Sequence, residues 1–129
     1  MIALDASAVL AILRNESGAE SVIRALHKHA AVMSTANLSE VLQKVAFFEQ
    51  DPEIAERLLD AIGVIYVELT ESLARLTAAL YEVAPALSLA DRTCFAIARI
   101  FGARAITFDH VWARYADAAG VDVELIRAA

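Results

Sequence analysis

Residues 1–13 read MIALDASAVLAIL. The first four positions are apolar and suit a strand. Residues 6–13 carry alanine, valine, leucine and isoleucine in a helix-compatible run, and an aspartate stands at the junction. A short buried strand feeding directly into a helix opens a βαβ unit. Burying a carboxylate is costly unless it is paired, hydrogen-bonded or bound to a cation. Asp5 therefore has two readings, an N-cap of the helix that begins at Ala6 or a member of a site.

Working outward, apolar segments of strand length recur: MIAL (1–4), AAVMS (30–34), VIYVEL (64–69), RAITF (104–108) and VDVELI (121–126). Helical patterns separate them, over about 6–13, 18–29, 36–49, 52–62, 71–83, 89–101 and 110–118. Gly63, Gly102 and Gly120 each stand where a helix should stop before a strand. Asp51-Pro52 reads as a cap followed by proline at the first helical position. Strands alternating with helices predict an α/β fold, a three-layer α/β/α sandwich around a mostly parallel sheet of about five strands. The length suits a single domain over 1–129. In such sheets ligands gather beyond the carboxyl ends of the strands, at the point where strand order reverses.

Apolar residues make up 59% of the chain, above the roughly 45–50% of ordinary globular proteins. No run approaches the roughly 18 residues of a membrane span, so the surplus belongs to the core, to a partner surface, or to both. Nothing at the N-terminus reads as a signal peptide, and the single cysteine, Cys94, excludes an internal disulfide; a cytoplasmic protein is the expectation. The net charge of −6 argues against a broadly basic nucleic-acid surface. Nine of the 11 basic residues are arginine, whose fork suits phosphate as well as helix ion pairs.

Asp5 falls just past the first strand and Asp109 just past the fourth, in AITFDHVW. If those strands are neighbours, both carboxylates meet one crevice. Asp91 begins the helix LSLADRTCFAIARI, and Glu40 lies one turn into the helix after the second strand. Each has a plain structural role available. Asp5 and Asp109 suit N-caps, Asp91 suits a capping box with Ser88, and Glu40 lies opposite the stripe Leu38, Val41, Leu42 and Val45. Capping alone does not explain why two of them sit at carboxyl ends of central strands. Two carboxylates about 5 Å apart repel by roughly 3 kcal/mol at an effective dielectric of 20. A crowded set of four therefore calls for a counter-charge, and oxygen donors suit Mg²⁺ or Mn²⁺. Such an ion activates water and stabilises charge at phosphorus.

Together LDASA, NLSEV, LSLADRTCFAIA and ITFDHVWA resemble the PIN-domain nucleases, specifically the VapC-type toxins of toxin–antitoxin pairs, nearly end to end. The resemblance implies a metal-dependent endoribonuclease with Asp5, Glu40, Asp91 and Asp109 around Mg²⁺ or Mn²⁺. It also implies that Ser7 and Thr107 hold the acidic cluster, with Asn37 supporting Glu40. The implied partners are an RNA substrate, a cognate antitoxin in an apolar groove and a second copy in a homodimer, with no membrane. His110 departs from the basic residue common after the last aspartate of that family.

Rival readings fare worse. Haloacid-dehalogenase-like phosphatases need a second aspartate where Ser7 stands. A receiver domain wants an aspartate after the third strand, where this chain has Glu68-Leu69-Thr70, and no lysine follows Lys44. A PIN nuclease in RNA processing outside a toxin pair, or a catalytically idle PIN-like binding module, remain alternatives. Arg92 and Arg114 lie nearest the expected cleft and are the candidates for RNA phosphate contacts. Cys94 falls on the inward stripe of its helix and reads as inert, and Trp112 reads as packing. His27 and His29 suit the negative pole of a helix end.

Overall fold

The computed structural model describes residues 1–127; residues 128 and 129 of the expected domain lie outside the described residues. The chain alternates as expected: β1 (Ile2–Leu4), α1 (Ala6–Leu13), α2 (Ala19–Lys28), β2 (Ala31–Ser34), α3 (Thr35–Phe47), α4 (Pro52–Ile62), β3 (Ile65–Val67), α5 (Glu71–Ala79), α6 (Leu89–Phe101), β4 (Arg104–Thr107), α7 (Val111–Ala119) and β5 (Val123–Leu125). The five strands form one sheet in the order β3-β2-β1-β4-β5. Every pairing is parallel, so the sheet is parallel throughout. Strand order reverses between β1 and β4, which pair Ile2 with Arg104 and Leu4 with Ile106.

The two-residue strand period divides the core. Ile2, Leu4, Met33 and Ile106 face a cluster that includes Val9, Val22, Val41 and Leu59 of α1 to α4. Ala3, Val32 and Ala105 face the other side, against Leu73, Phe95, Ile97 and Trp112 of α5 to α7. Alanine at positions 3 and 105 removes bulk where α6 crosses the sheet centre, and α6 touches β1, β2 and β4. Trp112 is fully buried and meets Phe95 edge to face at 4.9 Å, so it packs the core.

Three elements depart from the sequence reading, the strand expected over 121–126 among them, which shortens to Val123–Leu125. The helix expected over 71–83 ends at Ala79 and tightens into a 3-10 turn, Leu80–Glu82. Pro85 follows shortly after, and proline neither donates a backbone bond nor lets the residue before it stay helical. The strand expected over 64–69 shrinks to Ile65–Val67, and its first two residues are exposed because it forms the sheet edge.

Candidate active site

The strand reversal places the ends of β1 and β4 side by side, and two hydroxyls tie them together. Thr107 Oγ1 donates to Asp5 Oδ2 at 2.6 Å and accepts from the Asp109 backbone N–H at 3.0 Å. Ser7 Oγ lies 2.7 Å from Asp5 Oδ1, to which it donates, and accepts from the Phe108 N–H at 3.0 Å. A third bond, from the Ala8 N–H to Asp5 Oδ1 at 3.0 Å, caps α1. Asp5 is only 3% exposed, and its oxygens accept bonds from groups reaching the same carboxylate from positions 7, 8 and 107.

Two of the other acids hold local hydrogen bonds. Asp91 completes the capping box of α6: Ser88 N–H donates to Asp91 Oδ2 and the Asp91 N–H to Ser88 Oγ. Asp109 Oδ1 accepts from the Val111 N–H at 3.0 Å, although the N-cap position of α7 belongs to His110, one residue later than expected. Glu40 lies in α3 and is half-buried. Asp91 and Asp109 thus hold local hydrogen bonds at the starts of their helices.

Proton affinities reveal the coupling. Burial, more than anything else, raises the Asp5 carboxyl from 3.8 to about 6, with the Asp91 charge adding to it and the Thr107, Ser7 and Ala8 bonds opposing it. Glu40 is raised by burial and then by Asp91, with Lys44 pulling it down. Asp91 is raised by burial and also by Asp109, while its capping bonds and Lys44 lower it. The Asp91 charge thus bears on Asp5 and Glu40, and the Asp109 charge bears on Asp91. The buried thiol of Cys94, one turn further along α6, is pushed well up by burial and by Asp5, Asp91 and Glu40 together. It lies beneath the acids as an inert thiol.

The acids are looser than a crowded pocket would be. Among the described residues, no three His, Cys, Asp or Glu side chains group tightly enough to hold a metal ion by themselves. The donor set still fits a small divalent cation. All four groups offer hard oxygens, Lys44 is the one cation among the described residues that lowers the proton affinity of Glu40 and Asp91, and Mg²⁺ keeps several of its waters in place of protein ligands.

Asn37 supports the site in a way the sequence did not indicate. Its carboxamide oxygen accepts from Ser34 Oγ, and its Nδ2 donates to the Ala90 carbonyl at 3.2 Å. It fastens α3 to the residue preceding Asp91, with no hydrogen bond to Glu40 among those described. Arg92 turns away from the acids: Nη1 donates to the Thr77 carbonyl at 2.9 Å, Nε to the Leu87 carbonyl, and the guanidinium rests on the Tyr81 ring. These contacts brace the segment before α6 and engage two of the guanidinium's five N–H donors. Arg114 is exposed on α7.

Residues 2–118 match the PIN domain family, and the chain belongs to it. No curated protein matches the chain in sequence. Its fold is similar to that of solved VapC and FitB proteins. The FitAcB structure from Neisseria gonorrhoeae is 21% identical with a TM-score of 0.71, over 95% of this chain and 96% of that one. VapC20 of Mycobacterium tuberculosis, a toxin that cleaves the sarcin–ricin loop, is 19% identical with a TM-score of 0.72, over 88% and 95%. A toxin–antitoxin complex from Klebsiella pneumoniae is 19% identical with a TM-score of 0.63, over 84% and 87%.

Proposed function

We propose that this chain is a metal-dependent endoribonuclease, the toxin of a toxin–antitoxin pair, acting in the cytoplasm. The observation that carries the reading is the junction of β1 and β4 at the strand reversal, where Ser7 and Thr107 hold both oxygens of the buried Asp5 and Thr107 also holds the Asp109 backbone. A bound Mg²⁺ or Mn²⁺ would be held by Asp5, Asp91 and Asp109, with Glu40 beside them. When bound, such an ion supplies a counter-charge for these acids, activates water and stabilises charge building on the phosphate.

The protein's own contribution is preorganisation. Ser7 and Thr107 fix both oxygens of Asp5, and Asn37 fixes α3 against the start of α6. Glu40, half-buried and with a raised proton affinity, is suited to accept the proton of the attacking water on a carboxylate oxygen. Arg114 is the more available phosphate contact, because Arg92 is held by backbone carbonyls.

An antitoxin partner is supported by a groove of about 310 Å³ between α2 and α4, with Ile12, Ile23, Leu26, Leu58 and Ile62 along it. Ile23 is 41% exposed there. Further exposed apolar residues, among them Ile65 and Tyr66 on the sheet edge and Ile100 and Phe101 at the end of α6, support a homodimer. No helix among the described residues is long and apolar enough to cross a membrane.

Cleavage of RNA by the purified protein with and without Mn²⁺, beside Asp91→Asn, tests the reading. Cleavage only by the native chain with Mn²⁺ is expected. Cleavage that survives both a chelator and the substitution contradicts it.

A further inference from the structure

At the opposite end of the sheet from the acids, α2 and strands β1, β4 and β5 enclose an open cleft of about 310 Å³. Ser21, Arg24, Lys28, His29 and Arg104 line it, with Glu124 as its one acid. That acid is engaged: Glu124 Oε1 lies 2.6 Å from Arg104 Nη1, and Asp122 reaches the same guanidinium at 3.8 Å. Arg24 and Lys28 are both exposed. Neither has an ion-pair partner among the described residues.

Arg24 and Lys28 stand one turn apart on the same face of α2. Like charges at that spacing destabilise a helix. The dipole of α2 accounts for Lys28 in the last turn, but its effect fades within that turn and so does not extend to Arg24. Arg104, delivered from the sheet, is already paired with Glu124 and Asp122, so the uncompensated charge belongs to Arg24 and Lys28. Two exposed cations without ion-pair partners on one wall of a cleft, in a chain of net charge −6, are suited to an anion with several acceptor oxygens.

We propose that this cleft binds a phosphate group. Arg24 and Lys28 grip it from α2 with the Ser21 hydroxyl beside them, and Arg104, oriented by Glu124, meets it from the sheet. Guanidinium forks match phosphate oxygens two at a time. The phosphate belongs either to the RNA backbone, remote from the bond being cut, or to a free nucleotide. Only the RNA source rests on the function proposed above.

Thermal unfolding of the full chain, without divalent cations, tests the site using inorganic phosphate and AMP against sodium chloride of equal ionic strength. Phosphate should raise the native midpoint by a few degrees through mass action. Arg24→Gln with Lys28→Gln should abolish that rise. Arg57→Gln with Arg75→Gln, which removes the same charge elsewhere, should retain it. No rise in the native chain, or equal rises in both variants, overturns the proposal. Steady-state RNA cleavage then separates the sources. A several-fold higher KM with unchanged kcat in the Arg24/Lys28 variant assigns the site to RNA. An unchanged KM beside a lost phosphate response assigns it to a free nucleotide. If the chain cleaves no RNA, the unfolding experiment still decides the proposal.

Discussion

Asp5→Asn removes a charge from the most buried acid of the site while keeping its shape. In the folded protein the Asp5 carboxyl is raised from 3.8 to about 6, chiefly by burial. Between those values the folded chain holds a proton that the unfolded chain has lost, so stability falls as pH rises through the window and stays reduced above it. At 1.36 kcal/mol for each tenfold change in proton affinity, the ionised carboxylate costs the fold about 3 kcal/mol above pH 6. Asparagine escapes that cost. Its carboxamide oxygen can still accept from the Ala8 N–H and the Ser7 hydroxyl, but its NH₂ group at the other position forces the Thr107 hydroxyl to turn, at about 1 kcal/mol. A net gain of about 2 kcal/mol follows, or about 6 °C in Tm for a chain of this length. Thermal unfolding at pH 8 without divalent cations should show it, and near pH 4 the gain should almost vanish. A variant less stable than the native chain at pH 8, or one with the same gain at both pH values, refutes the electrostatic reasoning.

Three further outcomes follow from the same contacts. Thr107→Val removes the hydroxyl that joins Asp5 to the Asp109 backbone; it should lower stability by about 2 kcal/mol and raise the Asp5 proton affinity further, measurable by carboxyl NMR titration. Asn37→Ala removes the side-chain bond to the Ala90 carbonyl and the acceptor of the Ser34 hydroxyl; hydrogen exchange at the start of α6 should accelerate and RNA cleavage should fall, with a stability loss of about 1–3 kcal/mol. Gly18→Ala, at φ +95°, would place a Cβ 2.9 Å from Ile126 and 3.0 Å from Phe108; urea denaturation should report a loss of about 2 kcal/mol or more.

The strands were legible because each joins an apolar run to a turn residue or cap. Gly102, at φ 60°, ends α6 where a left-handed residue was expected. Asp5 was legible as an anomaly, since a carboxylate inside an aliphatic run demands partners. The partners themselves were less so. Ser7 is two residues from Asp5, but Thr107 meets it only because β1 and β4 pair, a fact that no local pattern encodes. The resemblance, not the spacing, pointed to both hydroxyls. Asn37 was read toward Glu40 on its own helix, whereas its amide crosses to Ala90. Arg92 looked free beside the cleft because the carbonyls of Thr77 and Leu87 that hold it lie on the preceding segment. Nothing local marks Gly18, because its crowding comes from the distant Phe108 and Ile126. The surplus of apolar residues resolves partly into surface, with Phe47 77% exposed.

The central claim is that carboxylates from remote segments form one cation-dependent site. Calorimetric titration of Mn²⁺ into the native chain at pH 7.5, beside Asp5→Asn and Asp91→Asn, tests it most directly. Saturable uptake by the native chain, weakened at least tenfold in each variant, is the predicted result. No uptake, or uptake of equal affinity in all three proteins, would contradict it.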